Sequence, residues 1–322
     1  MTAATDAQNG GLSPVQNKGL SPVTAAGDAP IGIFDSGLGG LTVLREIHRL
    51  LPGENLVYFG DSGRTPYGTK SPETVLRYTL QDVNFLLSKG VKAIVIACNT
   101  ASACSLDTVR RTFELPIIEV VEPGSVAAVA ATKTGRIGVI GTPATIGSEV
   151  YKRAIERAAV AAGRNDVNYF GVACPLFVSL AEEGWWDNDV ARLTARKYLA
   201  PLKDAGIDTL VLGCTHYPLL APAISRVMGR RVTLINSASV VAAAVQRVLR
   251  ERGLLRGDNA GNVDVNAEPA QKTDAAAAPV LPGANVSIRF FTSDSADKFR
   301  ALGSKFLAGS VEHVERVDIE QY

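Results

Sequence analysis

The sequence predicts an α/β fold of two pseudo-symmetric domains, each a mostly parallel sheet flanked by helices, with the active site in the interdomain cleft. Three observations carry that expectation. Short runs of consecutive apolar residues alternate with amphipathic helical patterns from about residue 30 onward, and continuous apolar strands separated by helices indicate parallel sheets covered on both faces. Two segments, VKAIVIACNTAS at 91–102 and IDTLVLGCTHYP at 207–218, read as one repeated unit: an apolar strand that delivers Cys98 or Cys214 into a turn of small and polar residues. An upstream pair, IGIFDSG at 31–37 and IGVIGTP at 137–143, repeats at a similar spacing, so the two halves read as a duplication around one cleft.

Taken in order, residues 1–29 are rich in Ala, Gly, Ser, Asn and Pro, repeat GLSPV and show no folding period, which predicts a disordered N-terminal extension. Folded structure is expected from Pro30. Strands are expected at IGIF (31–34), NLVYF (55–59), AIVIA (93–97), IGVIG (137–141), VNYFGVA (167–173), TLVLG (209–213) and VTLI (232–235). Ahead of the strand to Cys98, Ser71-Pro72-Glu73 supplies a helix cap, a proline at the first helical position and an acid in the first turn, and the pattern it opens stops near Gly90. DVARLTARKYLAPLKDAG at 189–206 plays the same part before the strand to Cys214. Residues 256–284 lack a folding period and read as a low-complexity insertion. NVSIRFFTS (285–293), the helix-like DSADKFRALGSKFLAG and the strand-like VEHVERV then pack back onto the first half.

A chain of 322 residues with 46% apolar content can bury the cores of two domains. Its 33 Lys plus Arg balance 32 Asp plus Glu, so no basic field exists to recruit nucleic acid or an anionic membrane. No apolar run reaches the roughly 18 residues of a membrane span, and the start MTAATDAQNG lacks both a basic region and a hydrophobic segment, so the expected compartment is the cytoplasm. Cys98, Cys104, Cys174 and Cys214 form no CxxC pair. They read as free thiols, not as a disulfide framework or a zinc site, and no metal is expected.

Sites in open parallel sheets lie beyond the carboxyl ends of the strands, where Cys98 and Cys214 both fall. A thiol next to a helix N-terminus or a polarising partner can serve as a general base or acid. Two of them on opposite faces of one carbon remove a proton on one side and return one on the other, which is stereoinversion without a cofactor. Cys104 and Cys174 fit the ordinary reading of a buried free cysteine. Cys98 and Cys214 depart from it because they occupy equivalent strand-to-turn junctions. His216 alone would be structural, but two residues after Cys214 it reads as a proton donor or thiol-polarising group. FDSGLGGLTVL at 34–44 has Thr42 at the third glycine of a dinucleotide loop and no Walker lysine, so it reads as a tight turn. Asp35 and Ser36 in it suit an ammonium group. Asn99, Thr100 and Thr215 offer donors to a carboxylate, and Pro66-Tyr67-Gly68 is turn chemistry that exposes backbone N–H groups. Trp185-Trp186 reads as packing or interface.

Together FDSGLGGLTVLREI (34–47), DSGRTPYG (61–68), ACNTASA (97–103), VEP (121–123), CPLFVSLAEEGW (174–185) and GCTHYPLL (213–220) resemble the glutamate racemase family, from about residue 30 to the C-terminus. The resemblance implies cofactor-independent interconversion of L- and D-glutamate, supplying D-glutamate for peptidoglycan. It implies that Cys98 handles the α-proton of D-glutamate and Cys214 that of L-glutamate, with Asp35 and His216 as assistants and Glu182 as a further acid. Asp35, Ser36, Pro66, Tyr67, Gly68, Asn99, Thr100, Thr215 and His216 match positions that hold the substrate. It further implies a first domain of 30–122 plus 236–322, a second of 123–235, and a homodimer that binds neither nucleic acid nor membrane. A cell-wall precursor is an open candidate for an activator. The chain departs from the usual pattern in residues 1–29, in 256–284, and at Asn236, where an aspartate is common. The nearest alternative is an aspartate racemase, which tends to have Thr-Glu after the second cysteine where this chain has Thr215-His216. Another is a racemase with a second, non-enzymatic role on a protein partner such as DNA gyrase.

Overall fold

The computed structural model describes residues 27–257, 286–307 and 309–322. The expected extension over 1–29 and insertion over 256–284 lie outside these residues except at their margins. The described strands form two sheets, and every pairing in both is parallel. The first contains β1 (Ile31–Asp35), β2 (Leu56–Gly60), β3 (Ala93–Ile96), β4 (Ile117–Glu119), β9 (Ile288–Thr292) and β10 (Val314–Arg316), ordered β10-β9-β2-β1-β3-β4. The second contains β5 (Arg136–Gly141), β6 (Asn168–Ala173), β7 (Thr209–Gly213) and β8 (Thr233–Asn236), ordered β6-β5-β7-β8.

Strands β1, β2, β3 and β7 are buried at every residue. Helices cover both faces of their sheets, which is why their sequences are apolar without alternation. The helix α2 (Pro72–Ser88) begins at the predicted cap, where Ser71 Oγ accepts the Thr74 N–H at 3.3 Å. It ends before Gly90, whose φ of 70° suits glycine. In the second half, Asn188 Oδ1 accepts the Ala191 N–H at 2.9 Å and starts α8 (Asp189–Asp204). Helix α10 (Ser237–Glu251) lies against both α1 (Leu41–Leu50) and α4 (Val121–Ala131). Its Val241, Val245 and Leu249 share one face and are fully buried, each stabilising the packing by roughly 1.5–3 kcal/mol relative to exposure.

Two strands differ from expectation. β4 follows Pro116 and pairs over three residues, too few to show a period. Of the strand-like run 311–317, only Val314–Arg316 pairs with β9. Val311 is instead drawn beneath α11 (Ala296–Leu307), and its N–H donates to Ser304 Oγ at 3.2 Å. At the amino edge of the first sheet, Lys92 Nζ bonds Glu54 and the Gly27 carbonyl, while Glu54 Oε1 accepts the Arg256 N–H at 2.9 Å. Among the described residues no helix is long and apolar enough to cross a membrane, and no cluster of His, Cys, Asp or Glu is gathered to hold a metal ion.

Candidate active site

Asp35 ends β1, and Cys98 and Cys214 follow the carboxyl ends of β3 and β7. These edges of the two sheets face each other and touch. Thr215 Oγ1 donates to Asp35 Oδ1 at 3.3 Å, and Thr42 Oγ1 lies 3.4 Å from the Thr215 carbonyl. Thr100 Oγ1 is 3.0 Å from Thr142 Oγ1 and 3.2 Å from Thr145 Oγ1. The approach needs glycine at two points. A Cβ on Gly39 would stand 2.3 Å from Thr215 Oγ1, and one on Gly68 would stand 2.5 Å from Thr142 Cβ.

Cys98 is 5% exposed and caps α3 (Asn99–Thr112), its Sγ accepting the Ala101 N–H at 3.4 Å. A helix N-terminus carries about half a positive charge and favours a thiolate. Here other effects outweigh that one. Burial and then the Asp35 charge push the thiol up to about 12, despite hydrogen bonds from Ala101 and Ser36, because desolvation of a buried sulfur outweighs one helix end. Cys214 is 7% exposed and has no such cap; only a short 3₁₀ turn, Tyr217–Leu220, follows it. Its neighbour is His216, whose Nδ1 lies 3.8 Å from Sγ and whose Nε2 lies 3.2 Å from Glu182 Oε1. Burial opposes a charge on the imidazole, yet the bonds to Cys214 and Glu182 and the Asp35 charge push it up to about 10. The bond to His216 in turn holds the Glu182 carboxyl below the usual range. Glu182 ends α7 (Leu176–Glu182), and Glu183 beside it is exposed. Burial raises the Asp35 carboxyl, with His216 pulling it back, and Oδ2 accepts the Gly37 N–H at 3.1 Å.

Pro66 is exposed at the rim, after a cis Thr65–Pro66 peptide. Tyr67 is buried with its phenol turned into a cluster, bonded to Asp61 and, at 2.9 Å, to Asp82 Oδ2; Arg64 spans both carboxylates at 2.7 and 3.1 Å. Burial and then the Asp61 charge hold the Asp82 carboxyl well above its usual range. The phenol is therefore occupied, and the Tyr67 carbonyl accepts the Lys70 N–H at 3.0 Å. Asn99 Oδ1 accepts the Tyr151 hydroxyl at 2.6 Å. Asn99 Nδ2 and Thr65 Oγ1 are buried without a hydrogen-bond partner among the described residues. Cys174 is core, as expected, whereas Cys104 is only half-buried.

Sequence reasoning missed Thr65, Thr142, Thr145 and Tyr151. Thr142 had a signal, since in IGVIGTP it occupies the place of Ser36 in IGIFDSG. Tyr151, on α6 (Val150–Ala161), had none beyond the helix period.

Two buried thiols stand on facing loops, one over a helix N-terminus and one beside the His216 imidazole, an arrangement able to move a proton at either face of one carbon. The chain belongs to the Asp/Glu/hydantoin racemase family, whose model matches residues 31–245. It is 47% identical over 290 residues to the glutamate racemase of Geobacter metallireducens, covering 90% of this chain and 97% of that one. Among solved structures, glutamate racemase isoform RacE1 from Bacillus anthracis matches with a TM-score of 0.78 at 36% identity, over 91% of this chain and 98% of that one. Glutamate racemase from Francisella tularensis, in complex with D-glutamate, matches with a TM-score of 0.77 at 34% identity, over 92% and 99%.

Proposed function

We propose that this protein interconverts L- and D-glutamate without a cofactor, by two-base proton transfer between Cys98 and Cys214, and so supplies D-glutamate for peptidoglycan. The observation that carries the reading is the meeting of the two carboxyl sheet edges that bear Cys98 and Cys214, where Gly39 lies against Thr215 and Thr215 bonds Asp35. From D-glutamate, the Cys98 thiolate takes the α-proton and the Cys214 thiol returns one to the opposite face. From L-glutamate the roles reverse. The raised Cys98 thiol has to lose its proton first; Asp35, whose carboxyl burial makes more basic, is the neighbouring acceptor, and an entering ammonium offsets the charge left behind. At Cys214 the His216 imidazolium, backed by Glu182, stabilises negative sulfur and can pass a proton to it. Ser36, Asn99, Thr100 and Thr215 supply hydroxyl and amide groups to the substrate, Tyr67 and Gly68 supply backbone N–H groups, and Pro66 forms the rim. Closure of both loops keeps water from the carbanion-like intermediate.

The catalytic halves in this reading are 30–122 with 236–322, and 123–235, in keeping with one sheet built from β1–β4, β9 and β10 and the other from β5–β8. A homodimer belongs to the same proposal; Leu176, Trp185, Val190 and Leu193, exposed on α7, the turn after it and α8, offer apolar surface for it, and light scattering checks the mass.

Incubation with L- or D-glutamate in deuterated water is expected to give racemisation with deuterium at the α-carbon. Cys98→Ala and Cys214→Ala are each expected to lose racemisation, and L- and D-aspartate to turn over poorly. Full racemisation by either alanine variant, or preference for aspartate, overturns the reading.

A further inference from the structure

The Tyr151 side chain reaches both cysteine junctions at once. Its ring lies against Gly213, the residue before Cys214, so closely that a Cβ there would sit 3.1 Å from Tyr151 Cε2. Its hydroxyl donates to Oδ1 of Asn99, the residue after Cys98, at 2.6 Å. Tyr151 is fully buried and belongs to α6 beside the second sheet, while Asn99 opens α3 beside the first. The bond therefore crosses between the two halves.

Its chemical consequence follows from the asymmetry of an amide. An amide oxygen only accepts, so with Oδ1 taking the phenol proton the NH2 is left facing away. In the flipped amide the phenol would instead accept from the NH2, and the amide oxygen would be turned toward a bound carboxylate and repelled by it. In the observed orientation Asn99 Nδ2 is the free end. It is buried and unpaired among the described residues, and a buried donor without an acceptor is costly to maintain. A substrate carboxylate is the acceptor that repairs it, through a charge-assisted bond.

We propose that Tyr151 is a positioning residue for racemisation: it orients the Asn99 amide toward the substrate carboxylate and does so only when the two halves are closed, so that carboxylate grip and closure are one event. The inference rests on the reading above in which Asn99 holds the substrate. Tyr151 touches neither reacting carbon nor sulfur in this scheme, so its effect is on binding.

Tyr151→Phe keeps the ring against Gly213 and removes only the hydroxyl. Loss of the oriented amide is expected to raise KM about tenfold for both enantiomers, with kcat little changed. Asn99→Ala is expected to raise KM to a similar degree. The decisive measurement is the double variant: if Tyr151 acts through Asn99, adding Tyr151→Phe to Asn99→Ala raises KM no further, whereas a purely structural role multiplies the two losses. Thermal melts of all variants accompany the kinetics. Multiplied losses, or an unchanged KM in Tyr151→Phe while Asn99→Ala binds poorly, overturn the role of Tyr151 and leave the proposed reaction standing. An unchanged KM in Asn99→Ala overturns the assignment of Asn99 on which the inference rests.

Discussion

Cys98 and Cys214 follow the ends of equivalent strands but have different neighbours. Cys98 has backbone N–H support at a helix start, and Cys214 has the His216 imidazole, itself bonded to the Glu182 carboxylate. Enantiomers have equal free energy, so kcat/KM must be the same in both directions at any pH; the difference between the thiols can show only in kcat and KM separately. The imidazole offers a cleaner test. Its pKa is raised from 6.5 to about 10 in the folded protein, so the folded state binds more protons than the unfolded state between those values. The stability this contributes is fully present below about pH 6.5 and is lost as pH rises through about 10. The unfolding free energy of the wild type minus that of His216→Gln is therefore expected to shrink by a few kcal/mol between pH 6 and pH 10. Urea denaturation of both proteins across that range measures it, and a difference that stays constant with pH rules the imidazolium out.

Elements put these groups in place through loops that leave almost no room. The turn containing Gly68 meets Thr142, the N-cap of α5 (Pro143–Gly147), so closely that an added methyl must push one of them by nearly an ångström. Misplacement on that scale can cost about a hundredfold in rate. Gly68→Ala is expected to lower kcat/KM by about that factor while the far-ultraviolet circular dichroism spectrum stays that of the wild type; unchanged kinetics would show that the loop yields freely. Much at this scale was legible in the sequence. Strands buried on both faces announce themselves as apolar runs, and the Ser71-Pro72 cap fixes where α2 begins. β4 was not legible, because three residues carry no period, and β10 is shorter than its pattern, because Val311 packs under α11 instead of joining the ladder. Thr142 could be read only by laying one half on the other. The Tyr151–Asn99 bond joins residues of different elements with no pattern in common, so nothing local in the sequence encodes it.

Across the whole molecule, parallel strands separate two jobs. Every strand of a sheet runs the same way, so the carboxyl edges gather Asp35, Cys98 and Cys214, while the amino edge of the first sheet gathers Lys92 before β3 and Glu54 before β2. The duplicated strand-to-cysteine units made the first gathering visible in the sequence. The second was hidden, since a lone lysine and a lone glutamate 38 residues apart suggest nothing until the strands are laid side by side. Both groups are buried, and burial depresses the Lys92 pKa against the pull of Glu54. The pair ties together four separate segments: Gly27, the turn before β2, the turn before β3, and Arg256 after α10. Removing one partner leaves the other as an uncompensated buried charge, which typically costs about 3–5 kcal/mol. Lys92→Met is therefore expected to lose stability on that scale, and Lys92→Met with Glu54→Leu to recover part of it, because the stranded carboxylate is gone. Neither change touches the carboxyl edge, so kcat and KM at a temperature where both variants are folded are expected to match the wild type. Equilibrium denaturation run beside initial-rate racemisation measures both quantities. A fall in rate without a fall in stability would mean that the two edges are coupled through the strands, and the separation of anchoring from chemistry would have to be abandoned.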